Sequence, residues 1–206
     1  HEQADVVEDA SSLLWKLVNN EFTSLSAIDQ AMKRVHFHLP NYFRIVVISI
    51  KEAKDVPMLE KIAHVFRALH FSAYLGKGTE IIGLIPGRSE AEVEVALQRL
   101  IAEMKEQITS AEQQYIIATG NTYQALHDMR QSYLQALETI ETVTFLNLSA
   151  QTGYDYDELS MYRHLKTMYK TNVSEQYRNK KIVALMQKDF VSKSELVKTL
   201  YYFLKN

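Results

Sequence analysis

The stretch LGKGTEIIGLIP, residues 75–86, decides how the chain folds. Gly76 and Gly78 flank Lys77, Thr79 and Glu80 follow, and an apolar run closes on Pro86. Glycine reaches the positive backbone angles that a tight reversal demands, and an apolar run of this length bounded by turn residues reads as a strand. The spacing predicts a hairpin joining strands at 71–75 and 79–85. A glycine-bearing turn around a lysine can also cradle phosphate, so the same residues are candidate ligand contacts.

The flanking sequence supports a hairpin inside an α+β domain. Residues 42–50 (YFRIVVISI) are nearly all β-branched or aromatic, the pattern of a central strand covered on both faces. From Pro57 the period becomes 3.6, with Leu59, Ile62, Ala63, Phe66 and Leu69 on one side of a returning helix. Ahead of residue 42, Val6, Ala10, Leu13, Leu14 and Leu17 share one helical face and Ile28, Met32 and Val35 another, until HFHLPN (36–41) breaks the pattern at Pro40. Past the hairpin, Ser89-x-x-Glu92 has the form of a capping box, and Val93, Leu97, Leu100, Ile101, Met104 and Ile108 form the stripe of the helix it opens. Residues 114–119 (QYIIAT) read as a strand, Gly120-Asn121 as a turn through a left-handed conformation, and 122–144 as a helix aligning Leu126, Tyr133, Leu137 and Ile140. From residue 42 the order is β-α-β-β-α-β-α. Its first six elements are those of a ferredoxin-like sandwich, an antiparallel sheet with helices on one face. The remainder reads as helices over 157–169, 174–188 and 192–204, the last opened by a second capping box, Ser192-x-x-Glu195. The apolar stripe Leu196, Leu200, Leu204 predicts a partner element beyond the last residue.

Composition narrows the function. The 206 residues are 47% hydrophobic and 23% charged, enough to bury a core and too apolar for a disordered chain. No run approaches the roughly 18 apolar residues that span a bilayer, and the first thirty show no basic segment leading into an apolar one. With no cysteine there is neither a disulfide framework nor a thiolate site, so the expected compartment is the cytoplasm. Residues 156–206 carry ten Lys/Arg against five Asp/Glu, whereas the preceding chain carries thirteen against twenty. Such an end reads first as a solvated helical face and second as a surface near nucleic acid.

With the strand order in place, KGTEIIGLIPG (77–87) resembles the hairpin of the GGDEF, or diguanylate cyclase, fold, with Gly78 and Glu80 the surviving signature residues. A closer resemblance is to the GGDEF-like central domain of bacterial transcription regulators of the purine-catabolism and carbohydrate-diacid type (PucR/CdaR). It is carried by LLWKLVNNEF (13–22), SYLQALETI (132–140), YDELSMYRHLK (156–166) and DFVSKSELVKTLYYFLKN (189–206). Ser160 departs from the usual glycine, His164 interrupts the leucine pair, and Phe203 replaces the usual tyrosine. The resemblance implies a helical lead-in over 1–40, a degenerate GGDEF-like domain over 41–150, and a helical segment over 151–206 leading to a helix-turn-helix beyond Asn206. It also implies a homodimer, DNA contacted through that further domain, a small-molecule effector and no membrane partner.

A nucleotidyl cyclase holds divalent cations with carboxylates at the end of its first strand and in the hairpin. Here the strand ends Ser49-Ile50-Lys51 and Thr79 replaces the hairpin aspartate, so the ligand count predicts no catalytic residue, no metal site and no cofactor. His36-x-His38 lacks a third ligand at metal spacing, and His64, His70, His127 and His164 are isolated. The twelve tyrosines read as half-buried packing before they read as an effector pocket. The expected function is the non-catalytic dimerisation and signal-relay region of a transcription regulator, with Leu13, Leu14, Leu17, Leu126 and Tyr133 facing a second copy. The alternative is a sensor module holding a nucleotide or small acid at Lys77, Gly78, Thr79 and Glu80, and behind it an active cyclase.

Overall fold

The computed structural model describes residues 10–50, 56–75, 80–108, 115–148, 153–171 and 180–205. Strands β1 (Tyr42–Ile50), β2 (Ser72–Leu75), β3 (Glu80–Gly87), β4 (Tyr115–Thr119) and β5 (Gly153–Asp155) form one sheet in the order β2-β3-β1-β4-β5. The hairpin pairs Leu75 with Ile81 and Ser72 with Leu84, and β1 runs antiparallel to both β3 and β4. Those four strands, joined by α3 (Val56–Ala68) and α4 (Glu90–Gln107), make the expected ferredoxin-like α+β core. The fifth strand, parallel to β4, turns the sheet into a mixed one.

Alternation along β1 explains its apolar run. Val46, Ile48 and Ile50 enter a core with Met58, Ile62 and Phe66 of α3 and Val93, Leu97 and Leu100 of α4. Phe43, Ile45 and Val47 enter a second core with residues of α1 (Ala10–Val18), α2 (Leu25–Arg34) and α5 (Met129–Leu146). The two crossover helices do share one face, but the sheet is not one-sided: the helices before and after the sandwich cover the other. A strand apolar on both sides would otherwise leave half its side chains in water. A third cluster joins Val143 and Leu146 of α5 and Tyr154 of β5 to Leu159 and to Tyr162 of α6 (Ser160–Thr171), Met186 of α7 (Lys180–Ser192) and Val197 of α8 (Leu196–Lys205).

Three local expectations are corrected. The helix read over 122–144 begins with a 3-10 turn at Leu126–Asp128 and becomes α-helical only at Met129. Gly120 and Asn121 do not take left-handed angles. Gly120 is needed because a β-carbon there would strike the backbone carbonyl of Ser132. The Ser89 cap forms, Ser89 accepting from the Glu92 amide at 3.3 Å, while Glu92 reaches one residue further back than the box requires and accepts from the Arg88 amide at 2.9 Å. The Ser192 box does not form. Ser192 lies in the last turn of α7, where its hydroxyl donates to the Lys188 carbonyl, and α8 starts at Leu196 on a cap supplied by Asp189.

Among the described residues one buried side-chain polar atom has no partner. The Tyr115 hydroxyl, on a residue 1% exposed, makes no hydrogen bond to a described residue. Its phenol is pushed above the ordinary 10.0 by burial. An orphaned hydroxyl costs folding its lost hydration, so Tyr115→Phe is expected to leave the urea midpoint unchanged or raise stability by up to about 1 kcal/mol. A loss of more than about 1 kcal/mol would mean that the hydroxyl is hydrogen-bonded after all.

Candidate functional site

Of the four predicted hairpin contacts, Lys77, Gly78 and Thr79 lie outside the described residues. Glu80 opens β3, half-buried and directly across from Ser49. Paired residues share a face of the sheet, so Glu80 and Ser49 lie on the side covered by α5. The Tyr133 phenol responds to Glu80: burial first, and then the Glu80 carboxylate, push it above 10.0 against the opposing charge of Arg130. Among the described residues, this end of the sheet therefore brings together one carboxylate, one hydroxyl and one phenol, a set that can hydrogen-bond but offers a single anionic ligand. Among the described residues no three His, Asp or Glu side chains form a metal-holding group.

The residues expected to meet a second copy are used inside the chain. Leu13, Leu14, Leu17 and Tyr133 are 0%, 1%, 8% and 7% exposed, and Leu126 packs against the same cluster. They seal α1 and α5 onto the sheet. An apolar stripe requires burial without saying against what, and here these side chains pack within the chain.

A more organised polar site lies where β1, α4, β4 and β5 meet. Arg44 interrupts the apolar run of β1, and its side chain is 14% exposed. Its Nε donates to the Thr122 hydroxyl at 3.0 Å, and its Nη1 to Asp155 at 2.9 Å and to Glu94 at 3.3 Å. Asp155 also accepts from the Thr119 hydroxyl at 3.2 Å and the Asp157 amide at 2.8 Å. The cluster borders a cleft of about 360 Å³ whose walls include Leu97, Gln98, Ile101 and Glu158. A larger cleft of about 820 Å³ lies between α1, α3 and β2, with Glu60, Arg67 and His70 on its walls.

Asp155 begins the junction to the C-terminal helices. Just beyond it, Tyr156 stacks under the Arg163 guanidinium, 3.2 Å from its centre to the ring centroid, while its hydroxyl reaches Glu138 of α5 at 3.3 Å. Arg163 also donates to the Tyr156 carbonyl. Below these, Phe190 lies 5.8 Å from Tyr154 and 5.6 Å from Tyr162, closing the third core. At the far end the fully buried Asp189 accepts from the Ser194 hydroxyl at 2.6 Å and from the Leu196 and Val197 amides at 2.8 and 3.1 Å. Burial alone would raise its carboxyl. The three donors outweigh burial and hold it below 3.8.

The sequence reading missed Arg44, Asp155 and Asp189, and also Ser132, Gln135 and Thr139, buried on the inner face of α5. Two signals were present. A lone arginine within a β-branched run demands partners, and small polar residues at spacing i, i+3, i+7 on an otherwise apolar helix face point at something that must be hydrogen-bonded. That something is the loop after β4. Ser132 accepts from the Ile45 amide and donates to the Asn121 carbonyl, and Gln135 accepts from the Asn121 amide.

Comparison with known proteins agrees with this geometry. Residues 19–142 match the family model described as a GGDEF-like domain. The proline-responsive transcriptional activator PutR of Bacillus subtilis (strain 168) is 26% identical over 216 residues, covering 97% of this chain and 50% of that protein. The chain thus spans about half the length of the curated relative it matches. Matching begins ahead of β1, so α2 is part of the unit, and the match to a transcriptional activator agrees with the PucR/CdaR resemblance carried by residues 13–22, 132–140, 156–166 and 189–206. By fold, strand order and this match over more than half of its residues, the chain belongs to the GGDEF-like domain family.

Proposed function

We propose that these residues are the non-catalytic regulatory region of a transcription regulator, passing an effector's state to a DNA-reading part of the longer protein. The observation that carries this reading is the single packed path from the sheet to α8. Arg44 on β1 holds Asp155 on β5, Tyr154 and Leu159 pack on α5, and Met186 and Val197 continue the same core into α7 and α8. A helix fixed to the sheet by buried apolar contacts cannot reorient without disturbing the sheet, which is what coupling between two sites requires. The likeness to a transcriptional activator supports a regulatory role, and that relative's name makes proline the first effector to try. No helix among the described residues is long and apolar enough to cross a membrane. A cytoplasmic homodimer suits a regulator that reads paired half-sites. For its contacts, Val191, Leu196, Tyr202 and Phe203 on α7 and α8 are large apolar side chains exposed at that end.

In a reporter strain carrying the longer regulator, the double substitution Leu159→Ala/Tyr162→Ala, which loosens the helices from α5, is expected to abolish effector dependence while DNA binding persists. Effector dependence that survives in a soluble double variant contradicts the relay. Purified protein supplied with GTP and magnesium is expected to release no pyrophosphate, because Glu80 alone is too few carboxylates for the metal-dependent step. Measurable turnover would make the chain an enzyme and end this reading.

A further inference from the structure

The cleft beside Arg44 has charges and donors that the junction leaves unused. Nε and Nη1 of Arg44 are occupied by Thr122, Asp155 and Glu94, whereas Nη2 makes no hydrogen bond to a described residue. Glu158, which also lines the cleft, makes neither an ion pair nor a side-chain hydrogen bond with any described residue. Glu94 is half-exposed, and its other oxygen takes only the Gln98 amide at 2.9 Å.

We propose that this cleft binds a free α-amino acid, its carboxylate on Arg44 Nη2 and its ammonium group between Glu94 and Glu158. The charge count selects the class. One guanidinium faces three carboxylates, Glu94, Asp155 and Glu158, so a dianion such as a sugar diacid enters a field of its own sign. A simple amine would meet the carboxylates and leave the half-buried guanidinium donor unused. A zwitterion satisfies both, and a guanidinium edge is the geometry that carboxylates favour. Leu97 and Ile101 of α4 supply an apolar wall, and a cleft of about 360 Å³ suits a compact side chain. The ligand would share its guanidinium with Asp155, the residue that anchors β5, so its arrival would be felt at the start of the path to α8.

This inference rests on the regulatory reading above and adds to it a ligand class and a place. It is tested by calorimetric titration of the purified chain with L-proline, L-alanine, L-glutamate and D-glucarate, followed through the Arg44 Nε–H resonance. The expected result is one-to-one binding of at least one amino acid with a shift of that resonance, and no binding of glucarate. Glu158→Gln should weaken binding about tenfold or more at an unchanged melting temperature, since an ion pair to the ammonium group is lost from an exposed rim position. Arg44→Lys, which keeps the charge without the fork, should weaken it as well. The proposal is overturned if no amino acid binds at about 10 mM, if glucarate binds more tightly than every amino acid, or if Glu158→Gln binds as the parent does. If the longer regulator still answers its effector in a reporter strain when the cleft binds nothing, the cleft assignment falls and the regulatory reading stands. GTP turnover would remove the regulatory reading and leave the titration untouched.

Discussion

Asp189→Leu is expected to lower the stability of the C-terminal helices by about 3 to 5 kcal/mol. The carboxylate is 0% exposed and receives three hydrogen bonds, from the Ser194 hydroxyl and from the Leu196 and Val197 amides. Those amides are the first of α8, which have no partner within their own helix, so the side chain of one helix caps the next. Leucine fills the volume but removes the acceptor of all three donors, the Val197 amide being buried where water cannot replace it. The effect has a pH signature. The folded state holds the carboxyl below 3.8, so its stabilisation is complete at pH 7 and is lost only as pH falls below about 4. Asp189→Asn keeps the shape without the charge. The gap in urea midpoint between parent and Asp189→Asn is therefore expected to stay constant from about pH 8 to 5 and to close below about 4. A gap that widens on acidification has the wrong sign and would show that Asp189 is not held ionised.

The same four-letter pattern, Ser-x-x-Glu, was right at Ser89 and wrong at Ser192, and the difference is instructive. At Ser89 no stronger acceptor stands within reach, so the hydroxyl takes the free amide of Glu92. Near Ser192 the chain folds back through Lys193 at φ 49° and returns the next amides to Asp189. An ionised carboxylate outcompetes a hydroxyl for them. That contest is decided by a turn in three dimensions, which no local window reports. Four strands of the sheet were readable because their information is local: β1 alternates between two cores, and β2 and β3 are bounded by turn residues, whereas β5, three residues long with no apolar run, was not. The coverage of its second face was not, since the stripe of Leu13, Leu14 and Leu17 demands a partner and does not say whether that partner is this sheet or another chain. Arg44 and Asp155, more than a hundred residues apart, illustrate the limit for the candidate site: each is an ordinary charged residue until the fold sets them 2.9 Å apart.

Gly120→Ala is expected to be as damaging as the loss of Asp189, through a clash rather than a missing bond. A β-carbon at residue 120 would strike the carbonyl oxygen of Ser132, with its carbonyl carbon and α-carbon close behind. These are backbone atoms within α5, so no rotamer change relieves the overlap and the helix must move away from the sheet. Moving it pulls on bonds that converge at the same point: Gly120 donates to the Ile45 carbonyl at 3.1 Å, Ser132 accepts from the Ile45 amide at 3.0 Å and donates to the Asn121 carbonyl at 2.9 Å. Overpacking together with loosened buried hydrogen bonds should cost about 3 to 5 kcal/mol in urea unfolding. Two controls separate the contributions. Ser132→Ala removes the hydrogen bonds without a clash and is expected to cost about 1 to 3 kcal/mol. Gly83→Ala meets the Phe66 ring, a side chain with some freedom to turn, and is expected to cost less than Gly120→Ala. A Gly120→Ala protein within about 0.5 kcal/mol of the parent would mean that α5 does not press on the β4 exit, and the packed path proposed from β1 to α8 would lose its first fixed point.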